Sequence, residues 1–270
     1  MISLVNLIKE SQSSPKALIL AGAPGAGKGS VLNKLNLKGI KTLNLDDTIL
    51  ALSKKEKFTL NQKDTDYENR SKFMSAMRSA SKQLKDIDIP NTMINKESFI
   101  LDGTSASFKQ TNQLYSDLKK AGYEVMMLYV YTDLETSLKR NENRFEKSKG
   151  EDRSLMPSAI LKTWYDVTKN FEPYQKLFNN FVSVSNTGED ETMKDIKQIL
   201  QTYIKPFRPK DGVEKSEKQI VRSKASAEKL RKEIQEFLNS DQTKNIINSS
   251  VSVEEAQQQI TQFLKWKNQN

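Results

Sequence analysis

AGAPGAGKGS, residues 21–30, follows directly on the apolar run ALIL and leads into a helical pattern that opens at Lys28. Strand, glycine-rich turn and helix N-terminus, in that order, are the context of a phosphate-binding loop. Gly22, Gly25 and Gly27 let backbone N–H groups turn inward around phosphate oxygens, with Ala23, Pro24 and Ala26 between them. The helix dipole adds to that field, and Lys28 neutralises the β- and γ-phosphates. The dinucleotide fingerprint G-x-G-x-x-G is not matched, and Lys28 would have no role in it. One position departs from the usual pattern. Where a Ser or Thr commonly follows the lysine and reaches Mg²⁺, this chain has Gly29, with Ser30 next. The loop is either a working site of a particular subclass or one that has lost a metal ligand.

Four further apolar runs lie downstream of ALILAG (17–22): KTLNL (41–45), SFILDG (98–103), EVMMLYVYT (124–132) and NFVSVSN (180–186). Short continuous runs bounded by polar turns are what strands covered on both faces look like. Helical patterns separate them, from Lys28, around 65–86, from Ser107 to Lys120, after Asp133 and over about 157–178. Thr132 with Glu135 offers a capping box at the fourth of these. The alternation predicts an α/β fold, a three-layer α/β/α core with a five-stranded, mainly parallel sheet and right-handed crossovers. A last core helix is expected over 189–203. With 270 residues, one substantial core leaves room for an appendage. The expected organisation is an N-terminal segment (1–16), the core domain (17–204), a Pro/Gly linker (205–212) and a helical C-terminal extension (213–270). In that extension Val221, Ala225, Leu230, Ile234, Phe237 and Leu238 form a thin apolar stripe. SVEE (Ser252 to Glu255) caps a second helix bearing Ala256, Ile260, Phe263 and Leu264. These stripes must meet each other, the core or a partner.

The chain has no Cys and no His. Disulfides, thiolate or imidazole zinc sites, Cys nucleophiles and a Ser-His-Asp triad are excluded. A proton acceptor in catalysis is then a carboxylate first, with Lys or Tyr far behind. Basic residues number 43 against 34 acidic, a formal +9, which suits an anionic partner or solvated Lys-rich helix faces alike. The N-terminus lacks the pattern of a cleaved leader, and no run approaches 18 apolar residues. A soluble, cytoplasmic protein without membrane contact is expected.

Carboxylates do stand where such chemistry needs them. Asp46 and Asp47 follow the second strand, where open α/β sheets present ligand groups. A carboxylate there takes the proton of an acceptor hydroxyl, or else caps a helix. Asp102 ends the third strand and is placed to bind Mg²⁺ or its waters, together with Ser30. Thr104 and Ser105 read as caps of the next helix. After the fourth strand, Arg140 and Arg144 are four apart and share a helical face. Lys147, Lys149 and Arg153 follow in a polar segment with Gly150 that can close as a lid. Such cations steady a transferring phosphoryl group, or simply decorate a solvated helix end.

The loop itself is similar to that of the adenylate kinases, GxPGxGKG followed by Thr. In that family Mg²⁺ is held largely through waters, which implies that Gly29 is tolerated and that Asp102, Ser30 and water carry the metal. Over about residues 17–204 the chain resembles the polynucleotide kinase/zeta-toxin group of P-loop kinases, particularly a branch found in large tailed bacteriophages. The pieces are AGAPGAGKGS, LNLDDTI, FILDGT, LKRNENR and RSLMPSAILKTWYDVTKNFEPY. The resemblance implies ATP with Mg²⁺ and an acceptor hydroxyl on the 5′ end of a nucleic acid or on a nucleotide sugar. It implies Lys28 as the loop lysine, Asp46 as general base, and Arg140 and Arg144 as ATP-facing lid arginines. Two departures from the bacteriophage polynucleotide kinase pattern stand out: Ile49 where that pattern has an acceptor-binding Arg, and Gly29 where it has Ser. Arg70, Arg78 or a tail lysine are the available replacements for that Arg. The phage setting makes the C-terminal helices a docking element for a virion or other protein partner, in an infected host's cytoplasm.

Three readings follow. The first is an ATP-dependent kinase. The second is a nucleotide-binding, virion-associated or other interaction protein with a kinase fold and little catalysis. The third is a nucleic-acid-binding module without catalysis, supported by net charge alone.

Overall fold

Five parallel strands form one sheet in a computed structural model that describes residues 14–35, 40–62, 66–147, 149, 153–187, 200–201, 204 and 217–264. The strands are β1 (Lys16–Ala21), β2 (Lys41–Asn44), β3 (Phe99–Asp102), β4 (Glu124–Tyr131) and β5 (Asn180–Ser185). Their spatial order is β2-β3-β1-β4-β5. Each coincides with an apolar run of the sequence. The chain leaves β1 toward β2 on one side and leaves β3 toward β4 on the other. A crevice therefore opens at the carboxyl ends beside β1, where such sheets bind ligands.

Alternate residues of β1 enter opposite layers, as the period of two requires. Ala17, Ile19 and Ala21 join one cluster with Phe99, Val125, Met127 and Tyr129, whereas Leu18 and Leu20 join another with Ile100, Met126, Leu128 and Val130. The first layer is closed by α5 (Phe108–Lys120), α8 (Pro157–Thr168) and α9 (Phe171–Leu177). Trp164, Phe171 and Tyr174 fill it almost without exposure. The second layer is closed by α1 (Lys28–Leu35) through Val31 and Leu35. Between β2 and β3, α2 (Leu45–Glu56), α3 (Tyr67–Gln83), a π turn over Leu84–Asp88 and α4 (Ile89–Ile94) follow in series. Ile49, Phe58, Leu60 and Phe73 give α2 and α3 a hydrophobic cluster of their own. The remaining helices are α6 (Leu134–Glu142) and α7 (Arg144–Lys147), then α10 (Glu217–Leu238), α11 (Gln242–Asn248) and α12 (Val253–Leu264).

The C-terminal stripes are spent within the chain. On α10, Ala227, Ile234 and Phe237 join the Trp164 layer, and the Phe237 ring meets Trp164 and Tyr165 edge-on. Ala227 takes the place expected for Ala225, which is exposed; the side chain of Val221 lies outside the described residues. On α12, Ala256, Ile260 and Leu264 cover the opposite sheet face beside α1. The Val251 N–H donates to the Ser183 carbonyl at 2.8 Å, so this segment also bridges the open edge of β5. Ser252 caps α12 through the N–H of Glu255.

Other local expectations need correction. Asp133, rather than Thr132, caps α6 by accepting from the N–H of Thr136. Thr132 instead donates its hydroxyl to the Asn186 carbonyl. Ser107, rather than Thr104 or Ser105, caps α5. Arg140 and Arg144 do not share one continuous helix, because α6 ends at Glu142 and α7 begins at Arg144. Of the helix expected over 189–203 only Leu200 and Gln201 are described, both helical. The linker expected over 205–212 and Gly150 lie outside the described residues.

Candidate active site

The loop between β1 and α1 has a backbone that L-residues resist at three points, Gly22 (φ +154°), Gly25 (φ +80°) and Gly27 (φ +81°). Space demands glycine there as well. A Cβ on Gly25 would lie 2.7 Å from the Ser137 carbonyl, and one on Gly27 would lie 2.2 Å from Asn186 Nδ2. Outside the loop, three successive carbonyls are bonded by side chains. Ser137 Oγ donates to Pro24 O (2.6 Å), Arg140 Nη1 to Gly25 O (3.2 Å) and Asn186 Nδ2 to Ala26 O (2.7 Å). Ala26 N–H closes a turn onto Ala23 O (3.1 Å), so the loop's capacity for an anion rests on N–H groups other than those of Gly22 and Ala26. The start of the loop is joined to the chain beyond β3 by Gly22 N–H to Thr104 O (3.2 Å) and Ser105 Oγ to Leu20 O (2.7 Å).

Lys28 Nζ donates to Gly22 O (3.0 Å) and Ala23 O (3.2 Å). Burial draws its ammonium down to about 8; the Asp102 carboxylate resists that fall, and Arg144 and Arg153 add to it. Asp102, at the end of β3, is pushed up by its own burial, against the pull of Lys28. A Cβ at Gly29 would meet nothing within 4 Å, so no steric demand keeps a hydroxyl residue out of that position.

Across the crevice, Asp46 sits in the first turn of α2, whose N-cap is Asn44. Arg153 Nη2 lies 3.1 Å from Asp46 Oδ1, and Arg144 Nη2 lies 3.9 Å from Asp46 Oδ2. The segment carrying Arg153 is pinned from two sides. Asn141, buried on α6, bonds both the N–H and the carbonyl of Leu155. Ser154 exchanges backbone bonds with Leu60 and Gln62.

These groups line one cleft of about 860 Å³. Lys28, Ser30, Asp46, Asp47, Asp102, Arg140, Arg144 and Arg153 all border it, with Pro24, Gly25, Gly27 and Gly29 of the loop. Gly22, Ala23 and Ala26 of the predicted stretch are buried behind it. Arg140 stands at the loop, whereas Arg144 stands opposite, against Asp46. Lys147 and Lys149, exposed, do not border the cleft. Neither do Arg70 and Arg78. Ile49 is 1% exposed and turned into the α2–α3 cluster, so an arginine there would not reach the cleft without unpacking it.

Residues not singled out in the sequence complete the site. Ser137, Asn141 and Asn186 hold its backbone, and Leu50, Phe73, Met74, Met77 and Leu155 give the α2–α3 side an apolar wall. No sequence signal marks a lone Ser or Asn whose partners are distant carbonyls. The apolar wall has one: Phe73 and Met77, four apart, fall on one face of the helix expected around 65–86.

The Zeta toxin family model matches residues 4–197. No curated protein matches the chain. Among solved structures, the AvrRxo1-ORF1:-ORF2 complex is similar in fold at 13% identity and a TM-score of 0.52, over 87% of this chain and 83% of that one. The same complex with ATP gives 14% identity and a TM-score of 0.50, over 84% and 81%. A structure from the PezAT chromosomal toxin–antitoxin system of Streptococcus pneumoniae gives 17% identity and a TM-score of 0.45, over 86% and 94%.

Proposed function

The chain belongs to the zeta toxin family, and from that premise we propose that it is an ATP-dependent kinase that phosphorylates a hydroxyl of a nucleic acid or small metabolite. The observation that carries this reading is a single cleft in which a built phosphate loop faces a carboxylate flanked by two guanidinium groups. ATP in the AvrRxo1-ORF1:-ORF2 structure, a neighbour in fold, supports ATP as the donor.

In this reading the loop N–H groups and Lys28 grip the β- and γ-phosphates. Asp46 accepts the proton of the acceptor hydroxyl, whose oxygen bonds to the γ-phosphorus as the bridging bond to the β-phosphate breaks and ADP leaves. Arg144 and Arg153, now on Asp46, stand beside the charge that shifts during transfer. Arg140 acts through the loop it braces. For Mg²⁺ the donor set is one half-buried carboxylate, Asp102, and one hydroxyl, Ser30. That set fits a cation that takes its other ligands from phosphate and water, as Mg²⁺ does. When bound, the ion neutralises charge on the triphosphate.

The test is a transfer screen with ATP labelled at the γ-phosphate. Acceptors are 5′-hydroxyl oligonucleotides, nucleosides, nucleotide sugars and protein extracts, with Lys28→Ala as the control. Transfer to one class that Lys28→Ala abolishes supports the reading. No transfer to any class, with intact ATP binding, favours an interaction protein on the same fold.

A further inference from the structure

Four polar contacts converge on Asn186, the first residue after β5. Its Nδ2 donates to Ala26 O at 2.7 Å. Its carbonyl accepts from Arg140 Nη1 at 3.1 Å and Thr132 Oγ1 at 3.0 Å, and its N–H donates to Tyr131 O at 2.8 Å. The side chain also occupies the space that the missing Cβ of Gly27 leaves free, 2.2 Å from where that atom would be. One residue thus closes the outer side of the loop at the position just before Lys28 and shares Arg140 with Gly25.

We propose that Asn186 is a positioning residue for the phosphate loop, holding it in the anion-receiving shape before any nucleotide arrives. The physical reason is directional. An Ala26 carbonyl bonded from outside cannot rotate into the crevice, so the peptide N–H it shares with Gly27 stays turned inward. An amide supplies the donor this needs, and a carboxylate of the same shape does not. The end of β5 that presents Asn186 is itself held by the C-terminal segment. Val251 N–H bonds Ser183 O (2.8 Å), and Ser183 Oγ bonds Ser249 O (3.0 Å).

The inference rests on the reading of the loop as a triphosphate site, and the experiment separates the two. ATP and inorganic tripolyphosphate are titrated calorimetrically into the wild-type protein, Asn186→Ala and Asn186→Asp. Thermal melts and the ATP dependence of ATP hydrolysis are recorded alongside. Expected are melting points within a few degrees of wild type. Both ligands should weaken by the same factor, roughly five- to tenfold in Asn186→Ala and more in Asn186→Asp. KM for ATP should rise while kcat stays within about twofold, the mark of lost ground-state and transition-state binding alike. Unchanged affinities would overturn the proposal. So would weakening of ATP without tripolyphosphate, which would mean contact with the base, or unfolding of both variants, which would make Asn186 a residue of the fold. A wild-type protein that binds neither ligand removes the triphosphate reading and this inference with it.

Discussion

On one wall of the cleft the carbonyls of Pro24, Gly25 and Ala26 are each bonded from behind by a different side chain; on the other, Asp46 meets the ends of two long arginines. The first wall is fixed by Ser137 and Arg140 of α6, by Asn186 just after β5, and by Gly25 and Gly27, which admit no Cβ. The second consists of flexible cations and an apolar surface of Phe73, Met74 and Met77. Preorganised dipoles serve a ligand whose charge and shape do not vary, because they spend no reorganisation on binding. Long arginines lose more side-chain freedom when held, but they can exchange one anion for another. In the proposed function the nucleotide belongs to the rigid wall, and discrimination among acceptors to the adaptable one.

The comparison breaks most sharply at Gly27. Alanine there combines a left-handed backbone with a Cβ driven into Asn186. ATP affinity should fall roughly a hundredfold, in line with a strain of about 3 kcal/mol. Calorimetry on the folded variant checks this, and near-normal binding would mean that the loop is less fixed than its contacts imply.

A smaller effect separates the walls by pH. Lys28, drawn by burial to about 8 from 10.5, is charged below that value, and bound phosphates favour the charged form. ATP affinity should be level up to about pH 7.5 and then fall by up to about tenfold per unit as the ammonium must be re-formed. Stability moves the other way. Between 8 and 10.5 the unfolded chain holds the proton that the folded one has lost, so this contribution rises with pH. Lys28→Met should remove both trends, read from titrations and melts across the same buffers.

The smallest effect is expected at Gly29→Ser. A Cβ there meets nothing within 4 Å, so ATP binding in the absence of metal should stay within about twofold of wild type. A larger loss would show that the glycine is required for reasons other than space.

The strands and the loop were legible in the sequence because they rest on local signals. ALILAG and EVMMLYVYT are too continuously apolar for a half-exposed element, and the glycine pattern after ALIL has few uses. Asp46 and Asp102 were legible from their place at strand ends. The route of the C-terminal helices was not, since a stripe such as Ile234 and Phe237 states that it must be buried without stating against what. Its partners, Trp164 and Tyr165, lie about seventy residues earlier in the chain. Asn186 and Asn141 were illegible for the same reason. Their bonds run to backbone atoms of Ala26 and Leu155, and any residue type offers a carbonyl. The pairing of Arg140 with Arg144 misled because spacing alone does not reveal the helix break at Asn143.

The account turns on Asp46, and its most direct test is Asp46→Asn assayed for ATP affinity and for γ-phosphoryl transfer to the acceptor found in the screen. ATP affinity within about twofold of wild type is expected, with transfer slower by roughly 10²–10⁴-fold, the scale of a lost general base. Transfer at the wild-type rate would contradict the account.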